Sequence, residues 1–235
     1  MATFEILGST DPFVKAHLQQ GEAIFAEGGA MAAMDDVIDL SGKARGGMLK
    51  SIARAAVTGE SFFMQEAVAE RGAGSMLLAP GYPGEVRLID MDNDEWSLTD
   101  GAFLCGDHAL EIATRRNKSI GASIFGGSGG FFIMSVSGTG TLAVSALGAI
   151  QEMEVPAGGE LVVDSGHLVA WPSSVEMKAS LTTKQGSGLL GKVVGAVTTG
   201  EGVVLRFSGQ GKVLVSSRAQ PAFIGWLSSR LPKKG

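Results

Sequence analysis

The sequence predicts an all-β protein built from three pseudo-equivalent repeats, and three observations lead to this prediction. Apolar and polar residues alternate with a period of two along several short segments, for example from Val175 to Leu181, which is typical of strands with one buried face. Glycine is abundant, at 35 of 235 residues, and many glycines separate these segments, where tight turns need positive backbone angles. The same two kinds of segment recur along the chain, which indicates an internal repeat.

The clearest copy of the repeat spans residues 131–171 and has two halves. Each half contains two predicted strands joined by a glycine-containing turn, and these four strands are residues 131–136, 141–146, 160–163 and 167–171. The turn of the first half, residues 137–140, holds two glycines and predicts a hairpin. The turn of the second half begins at Asp164, whose carboxylate can cap such a turn.

Other copies of both halves occur towards the chain ends. Second halves contain Glu27 and Asp100 in the place of Asp164, and further first halves begin near residues 61 and 203. The N-terminal second half lacks a preceding partner, and the C-terminal first half lacks a following one. We therefore expect the two chain ends to meet and complete one unit, which would close a ring of three without a free sheet edge. An open, irregular β-sandwich is the alternative.

The domain prediction is a single β domain over residues 1–218, followed by a C-terminal tail over residues 219–235. The tail is apolar at helical spacing and predicts an amphipathic terminal helix, with Phe223, Ile224, Leu227 and Leu231 on one face. Trp226 lies beside that face.

The connections between the repeats carry a second pattern. Residues 47–60 and 188–201 align without a gap, and both place apolar residues at the spacing of a helix face, which predicts short amphipathic helices. Four segments, residues 41–58, 114–128, 182–199 and 219–235, contain no Asp or Glu but 12 of the 19 basic residues. We therefore predict an apolar, basic interaction face, with these candidate residues: Met48, Leu49, Lys50, Ile52, Arg54, Arg115, Arg116, Lys118, Leu189, Leu190, Lys192 and Val193.

Three uses of this face compete. It can pack on the β domain or on another copy of the chain, which predicts a homo-oligomer. It can instead contact an anionic membrane surface, since basic residues flank an apolar helix face. RNA binding is disfavoured, because the connections hold few aromatic residues for base stacking and the net charge is −5.

The sequence contains no recognisable catalytic, cofactor-binding or metal-binding motif. Asp164 and His167 read as a turn acid and a strand residue, because the histidine does not recur in the other copies. Cys105, the only cysteine, lies in an apolar run and reads as a buried small side chain. We expect a non-enzymatic scaffold in the cytoplasm, since the chain shows neither a signal peptide nor an apolar run long enough to span a bilayer. A small-ligand binder or an enzyme would instead need a polar pocket.

Several motifs resemble the tryptophan-RNA-binding-attenuator-protein-like (TRAP-like) family. They are residues 58–63 (TGESFF), 101–104 (GAFL), 163–170 (VDSGHLVA) and 200–202 (GEG), and the resemblance covers roughly residues 4–218. The family includes uncharacterised bacterial proteins and a mitochondrial relative, the altered-inheritance-of-mitochondria protein. The resemblance implies an all-β fold of double-stranded β-helix or β-sandwich type, with three repeats about a pseudo-threefold axis. Ser128 stands where the family usually has a glutamate, as this chain has at Glu60 and Glu201.

Overall fold

The computed structural model describes residues 1–42, 64–116, 132–180 and 204–232. These residues form antiparallel sheets of four, ten and three strands, with one α-helix near the C-terminus. The predicted helices of the connections at residues 47–60 and 188–201 lie outside the described residues. No helix in the described part is long and apolar enough to cross a membrane.

The N-terminal segment contributes seven strands. They are β1 (Thr3–Leu7), β2 (Phe13–Leu18), β3 (Ala23–Glu27), β4 (Met31–Met34), β5 (Ile38–Ser41), β6 (Met64–Ala69) and β7 (Gly74–Leu78). Strand β7 pairs with β2 and β4, and β1 extends this sheet from β2. Strand β6 pairs with β3 and β5 in the ten-stranded sheet. The turn after Glu27 therefore carries the chain from one sheet to another and does not form a hairpin.

The middle segment is organised by two strands of 16 residues each. Its strands are β8 (Gly84–Thr99), β9 (Phe103–Asp107), β10 (Glu111–Arg116) and β11 (Phe132–Leu147). Strand β11 pairs along its whole length with β8, and it also pairs with β9 and β10.

The hairpin predicted at residues 137–140 is wrong, because the chain runs straight through this position as β11. Gly138 and Gly140 have φ angles of 121° and 146°, and the register against β8 shifts between Gly138 and Thr139. The extra residue at this shift is Asn93 of β8, with a φ angle of 58°, so the glycines of β11 lie opposite a bulge in β8 and do not form a turn.

The C-terminal segment contributes six strands and the helix. They are β12 (Ile150–Glu154), β13 (Leu161–Asp164), β14 (Leu168–Pro172), β15 (Val175–Ser180), β16 (Val204–Gly209), β17 (Lys212–Ser216) and α1 (Gln220–Ser228). Strand β17 pairs with β12 and β14, and β16 pairs with β13 and β15. A single 3₁₀ turn, Ser165–His167, joins β13 to β14, which lie in different sheets.

The middle segment joins the other two. Strand β9 pairs with β3, and β8 pairs with β14. The two ends of the chain were expected to meet and complete one unit, but their described strands do not pair with each other. Strand β2 pairs with β7 and β3 pairs with β6, and neither pairs with β16 or β17. Apart from the pairs of β9 with β3 and of β8 with β14, the described strands pair within their own segment, and no strand of the N-terminal segment pairs with one of the C-terminal segment. Among the described residues, β4 and β13 are edge strands.

The core consists of three apolar clusters that extend across the segments. The first contains Ile24 and Met76 with Leu104 of the middle segment. The second centres on Phe103 and Leu142, both in the middle segment, and includes residues of both other segments. The third surrounds Phe207, whose ring meets Trp171 edge to face at a centroid distance of 5.9 Å. Apolar burial of this kind is the main stabilising term in such a fold.

Candidate binding cleft and C-terminal helix

Most of the predicted interaction face cannot be placed. Ten of its residues lie outside the described part of the chain: Met48, Leu49, Lys50, Ile52, Arg54, Lys118, Leu189, Leu190, Lys192 and Val193. Arg115 and Arg116 lie on β10, opposite Ile133 and Phe132 of β11. The predicted face therefore remains a prediction.

An open cleft of about 910 Å³ lies beside helix α1. Residues that are distant in sequence line it, from the loop before β2, the loop before β8, the turn between β11 and β12, and the start of α1. Its apolar wall includes Phe223 and Trp226 of the helix, together with Pro83 and Leu147. The volume lies within the range of sites that bind small molecules.

Two carboxylates at the cleft already have partners. Asp11 has a φ angle of 49°, and its Oδ1 accepts a hydrogen bond of 2.7 Å from the Gly84 amide. Glu85 accepts the Ile150 amide at 2.7 Å and forms an ion pair of 2.8 Å with Arg87. These contacts hold the loops together, so the two acids have limited capacity for a ligand.

His167 lies at the cleft with one ring nitrogen engaged. Its Nδ1 lies 2.7 Å from the Ser216 carbonyl oxygen, which accepts a hydrogen bond from the Nδ1–H group. This assigns the proton of the neutral ring to Nδ1 and leaves Nε2 as the second polar atom. Among the described residues, Nε2 has no hydrogen-bond partner.

Arg218 also borders the cleft, and its guanidinium forms no hydrogen bond or ion pair with the described residues. Its backbone is held in place, because the Ser216 hydroxyl donates a hydrogen bond of 3.0 Å to the Arg218 carbonyl. The Ser217 hydroxyl accepts one of 2.9 Å from the Ala149 amide. The side chain thus extends from a fixed stretch of backbone.

Helix α1 begins directly after this stretch and exposes most of its apolar side chains. Ile224 and Trp226 are 55% and 51% exposed, and Leu231 beyond the helix is 58% exposed. Phe223 stacks on Trp226 at a centroid distance of 6.0 Å, and the Arg230 guanidinium lies 4.6 Å from the Trp226 ring centroid. Ala219 at the N-cap makes no side-chain capping bond.

The three acids of the predicted second halves have different surroundings. Asp164 Oδ1 accepts the Gly166 amide at 2.7 Å, which is the capping role expected from the sequence. Glu27 is partly buried, and this burial together with nearby Asp100 raises the pKa of its carboxyl to about 7. Tyr82 lies close by and donates a hydrogen bond to the Gly101 carbonyl, and its own pKa is raised chiefly by burial.

The residues considered for catalysis act as structural side chains in the described contacts. Asp164 bonds to Gly166 and His167 to Ser216, so the two are not bonded to each other. Cys105 is fully buried, as predicted, and burial raises the pKa of its thiol. No group of three or more His, Cys, Asp or Glu side chains that could hold a metal occurs among the described residues.

Sequence reasoning did not identify the cleft. Its lining comes from five short stretches of chain, and none of them carries a motif. The one relevant sequence signal is the apolar spacing of the tail, which contains Phe223 and Trp226. It predicts a helix but not where this helix lies on the β domain.

Comparisons with known proteins identify the relatives of this chain. The family model described as Mitochondrial biogenesis AIM24 matches residues 4–218. An uncharacterised protein of Streptococcus pyogenes serotype M6 is 31% identical over 227 residues, covering 94% of this chain and 87% of the relative. The crystal structure of a protein from Streptococcus pyogenes has a TM-score of 0.77 and 28% identity, covering 98% of this chain and all of that one. These matches support the expected relation to the mitochondrial protein, and the chain belongs to the AIM24 family.

Proposed function

We propose that this AIM24-family protein is a non-enzymatic, cytoplasmic scaffold that associates with copies of itself through helix α1. The observation that carries the proposal is the exposed apolar surface of that helix. Ile224, Trp226, Leu227 and Leu231 are each at least 40% exposed, although the side chains of the sheets pack into extended cores. Adjacent exposed apolar side chains of this kind are typical of contact surfaces.

A pseudo-threefold, TRAP-like arrangement of the β segments is part of this proposal. Its support is the pairing order: β7 lies between β2 and β4, as β17 lies between β12 and β14. Likewise β6 lies between β3 and β5, as β16 lies between β13 and β15, while β11 pairs with β8, β9 and β10. A framework with this regularity would present α1 and the predicted basic connections at defined positions.

Charge favours a second copy as the partner of the helix. Residues 219–235 contain no acid and carry Arg230, Lys233 and Lys234 after the uncharged helix, whereas the 24 acids lie elsewhere in the chain, so a basic tail would meet an acidic body. Opposite charges around an apolar contact orient two copies and speed their encounter.

Light scattering coupled to size exclusion tests the self-association. Leu227→Asp should lower the molar mass towards that of one chain, because it places a charge on the apolar face. Gly225→Asp is the matched control, since it adds the same charge on the other side of the same helix, where a side chain meets open space. A monomeric wild-type protein, or equal masses for the two variants, would contradict the proposal.

Contact with an anionic membrane surface is the second candidate. The specific observation is the composition of the tail, where exposed Trp226 and Leu231 accompany Arg230, Lys233 and Lys234 without an acid. Tryptophan, leucine and basic residues favour the interface of an anionic bilayer.

Cosedimentation with vesicles distinguishes the two candidates. Membrane contact predicts binding to phosphatidylglycerol vesicles but not to phosphatidylcholine vesicles, lost at high salt and in Arg230→Glu. Arg71→Glu, in the exposed bend between β6 and β7, makes the same change of charge away from the tail, where Arg71 pairs with Asp39, and serves as the control. A protein that remains in the supernatant with both vesicle types at low salt does not bind membranes.

A further inference from the structure

We propose that the cleft beside helix α1 binds a small amphipathic carboxylate, a molecule with an alkyl chain and one negatively charged head. This small-molecule site does not rest on the proposed self-association, although Trp226 belongs to both surfaces. Shape, apolar lining and charge each point to it.

The shape and lining suit the alkyl chain. The cleft of about 910 Å³ is lined by two aromatic rings of the helix, Phe223 and Trp226, and by Pro83 and Leu147 opposite. A chain buried there gains roughly 0.8 kcal/mol for each CH₂ group removed from water. The cleft is open to solvent, so a charged head can stay partly hydrated while the chain is buried.

The polar groups of the cleft select a negative head. Its two carboxylates are occupied, Asp11 by the Gly84 amide and Glu85 by Arg87 and the Ile150 amide. The Arg218 guanidinium has no described partner, and a guanidinium binds a carboxylate through two parallel hydrogen bonds. Asp11 keeps its negative charge while its Oδ1 holds the Gly84 amide, and Glu85 is paired with Arg87, so Arg218 is the cation of the cleft without a described partner.

His167 offers a second contact, and whether it donates or accepts a hydrogen bond there depends on the protonation of its ring. Because its Nδ1 is bonded to the Ser216 carbonyl, Nε2 is the atom available to a ligand. When the ring is protonated, Nε2 becomes a donor and a carboxylate is the acceptor it would bind. The first turn of α1 adds positive potential that also favours a carboxylate, because no side chain at Ala219 caps its backbone N–H groups.

Isothermal titration calorimetry on the whole protein tests the proposal with three C12 probes that differ only in their head group. These are dodecanoate and dodecylammonium, each below its critical micelle concentration, and dodecanol below its solubility limit. We expect saturable binding of dodecanoate, with a Kd at least tenfold lower than that of either other probe.

Two variants assign the binding to this cleft. Arg218→Gln should raise the Kd for dodecanoate about tenfold or more and leave that for dodecanol unchanged. Phe223→Ala should weaken both. Arg71→Gln makes the same change at an exposed, remote site and should have no effect. Circular dichroism establishes that each variant is folded.

Three outcomes would overturn the proposal. They are no saturable dodecanoate binding, equal binding of dodecanoate and dodecylammonium, and dodecanoate binding that is unchanged in folded Arg218→Gln. Loss of the helix contacts in Leu227→Asp tests self-association separately, because Leu227 does not line the cleft.

Discussion

At the scale of single residues, Glu27 shows how one type of turn acid acquires different properties. Asp164 caps its turn through the Gly166 amide, whereas Glu27 is partly buried next to Asp100. Burial and the like charge both disfavour ionisation, which raises the pKa of Glu27 to about 7. The folded state therefore favours the protonated form of the Glu27 carboxyl group.

This gives a pH dependence with a definite sign. In the unfolded chain Glu27 titrates at its ordinary pKa. Between that value and about 7, the folded state therefore binds more protons than the unfolded state, and the free energy of unfolding falls as pH rises. Glu27→Gln removes this loss. Its stability relative to the wild type should increase between pH 5 and pH 8 by about 1–2 kcal/mol, a value reduced for the partial exposure of the side chain.

Urea unfolding at the two pH values measures this difference. Glu111→Gln, at an exposed position, serves as the control and should differ from the wild type equally at both pH values. A constant difference for Glu27→Gln as well would show that Glu27 titrates normally in the folded protein.

Cys105 provides a second prediction at this scale. Its side chain is fully buried, and burial together with Asp107 raises the pKa of the thiol. Because the thiolate is the reactive form, native protein should react with a disulfide reagent only as fast as the structure opens. Reaction should become rapid in guanidinium, followed by absorbance. Rapid modification of native protein would show that the thiol is accessible.

At the scale of elements, local patterns predicted strands better than they predicted how strands are joined. Alternation located β15, because one buried face imposes a period of two, and apolar runs between turn residues located several other strands. The glycines at 138 and 140 look the same in sequence whether they form a turn or lie opposite a bulge, so β11 was divided in two. The difference depends on β8, which lies alongside and continues past the bulge.

Gly84, at the start of β8, lies so close to other backbone atoms that a side chain there would clash, which the sequence alone does not reveal. A Cβ atom there would lie 1.9 Å from the Ala146 carbonyl oxygen and 2.7 Å from the Gly148 amide nitrogen. Gly84→Ala should therefore destabilise the protein by about 3 kcal/mol or more, because backbone must move.

A neighbouring glycine supplies the control for this prediction. A Cβ atom at Gly81 would meet nothing within 4 Å, so Gly81→Ala should change stability by about 0.5 kcal/mol or less. Denaturant unfolding of both variants makes the comparison. Equal stabilities would contradict the close approach of β8 to the end of β11.

At the scale of the whole molecule, the sequence predicted the all-β class but not the assembly. Repeats were recognised from their turns, and the N-terminal and C-terminal strands were paired with each other to complete a ring. The described strands instead find partners nearby in sequence, and β9 and β14 join the segments. The cleft beside α1 was not predictable, since its walls come from loops whose positions follow only from that assembly.

The shared core predicts that the segments unfold together. Leu142 of β11 is fully buried in the cluster that also contains Phe25 and Leu214 from the other segments. Leu142→Ala should cost about 2–5 kcal/mol and lower the unfolding midpoint of the whole chain. Far-ultraviolet circular dichroism should show the same midpoint as the fluorescence of Trp171, which is buried in another segment, measured in a background with Trp96→Phe and Trp226→Phe.

Leu7→Ala is the control, because Leu7 is 37% exposed on the outer strand β1. It should cost far less. Two separate transitions in Leu142→Ala would show instead that the segments are independent folding units.

The continuous strand β11 also has a consequence for the order of events during folding. Its pairs with β10 join residues that are 16 positions apart at Arg116 and Phe132 and 26 positions apart at Glu111 and Ser137. The chain between paired residues is therefore short. Shorter chain closures cost less entropy and occur sooner. Within the middle segment we therefore expect β10 and β11 to form first and β8 to join them next, because the pairs of β8 with β11 are 34 to 63 positions apart. The hairpin of β1 and β2, whose pairs are only 6 to 14 positions apart, should form by itself at an early stage. The middle segment then joins its neighbours through β9 and β8.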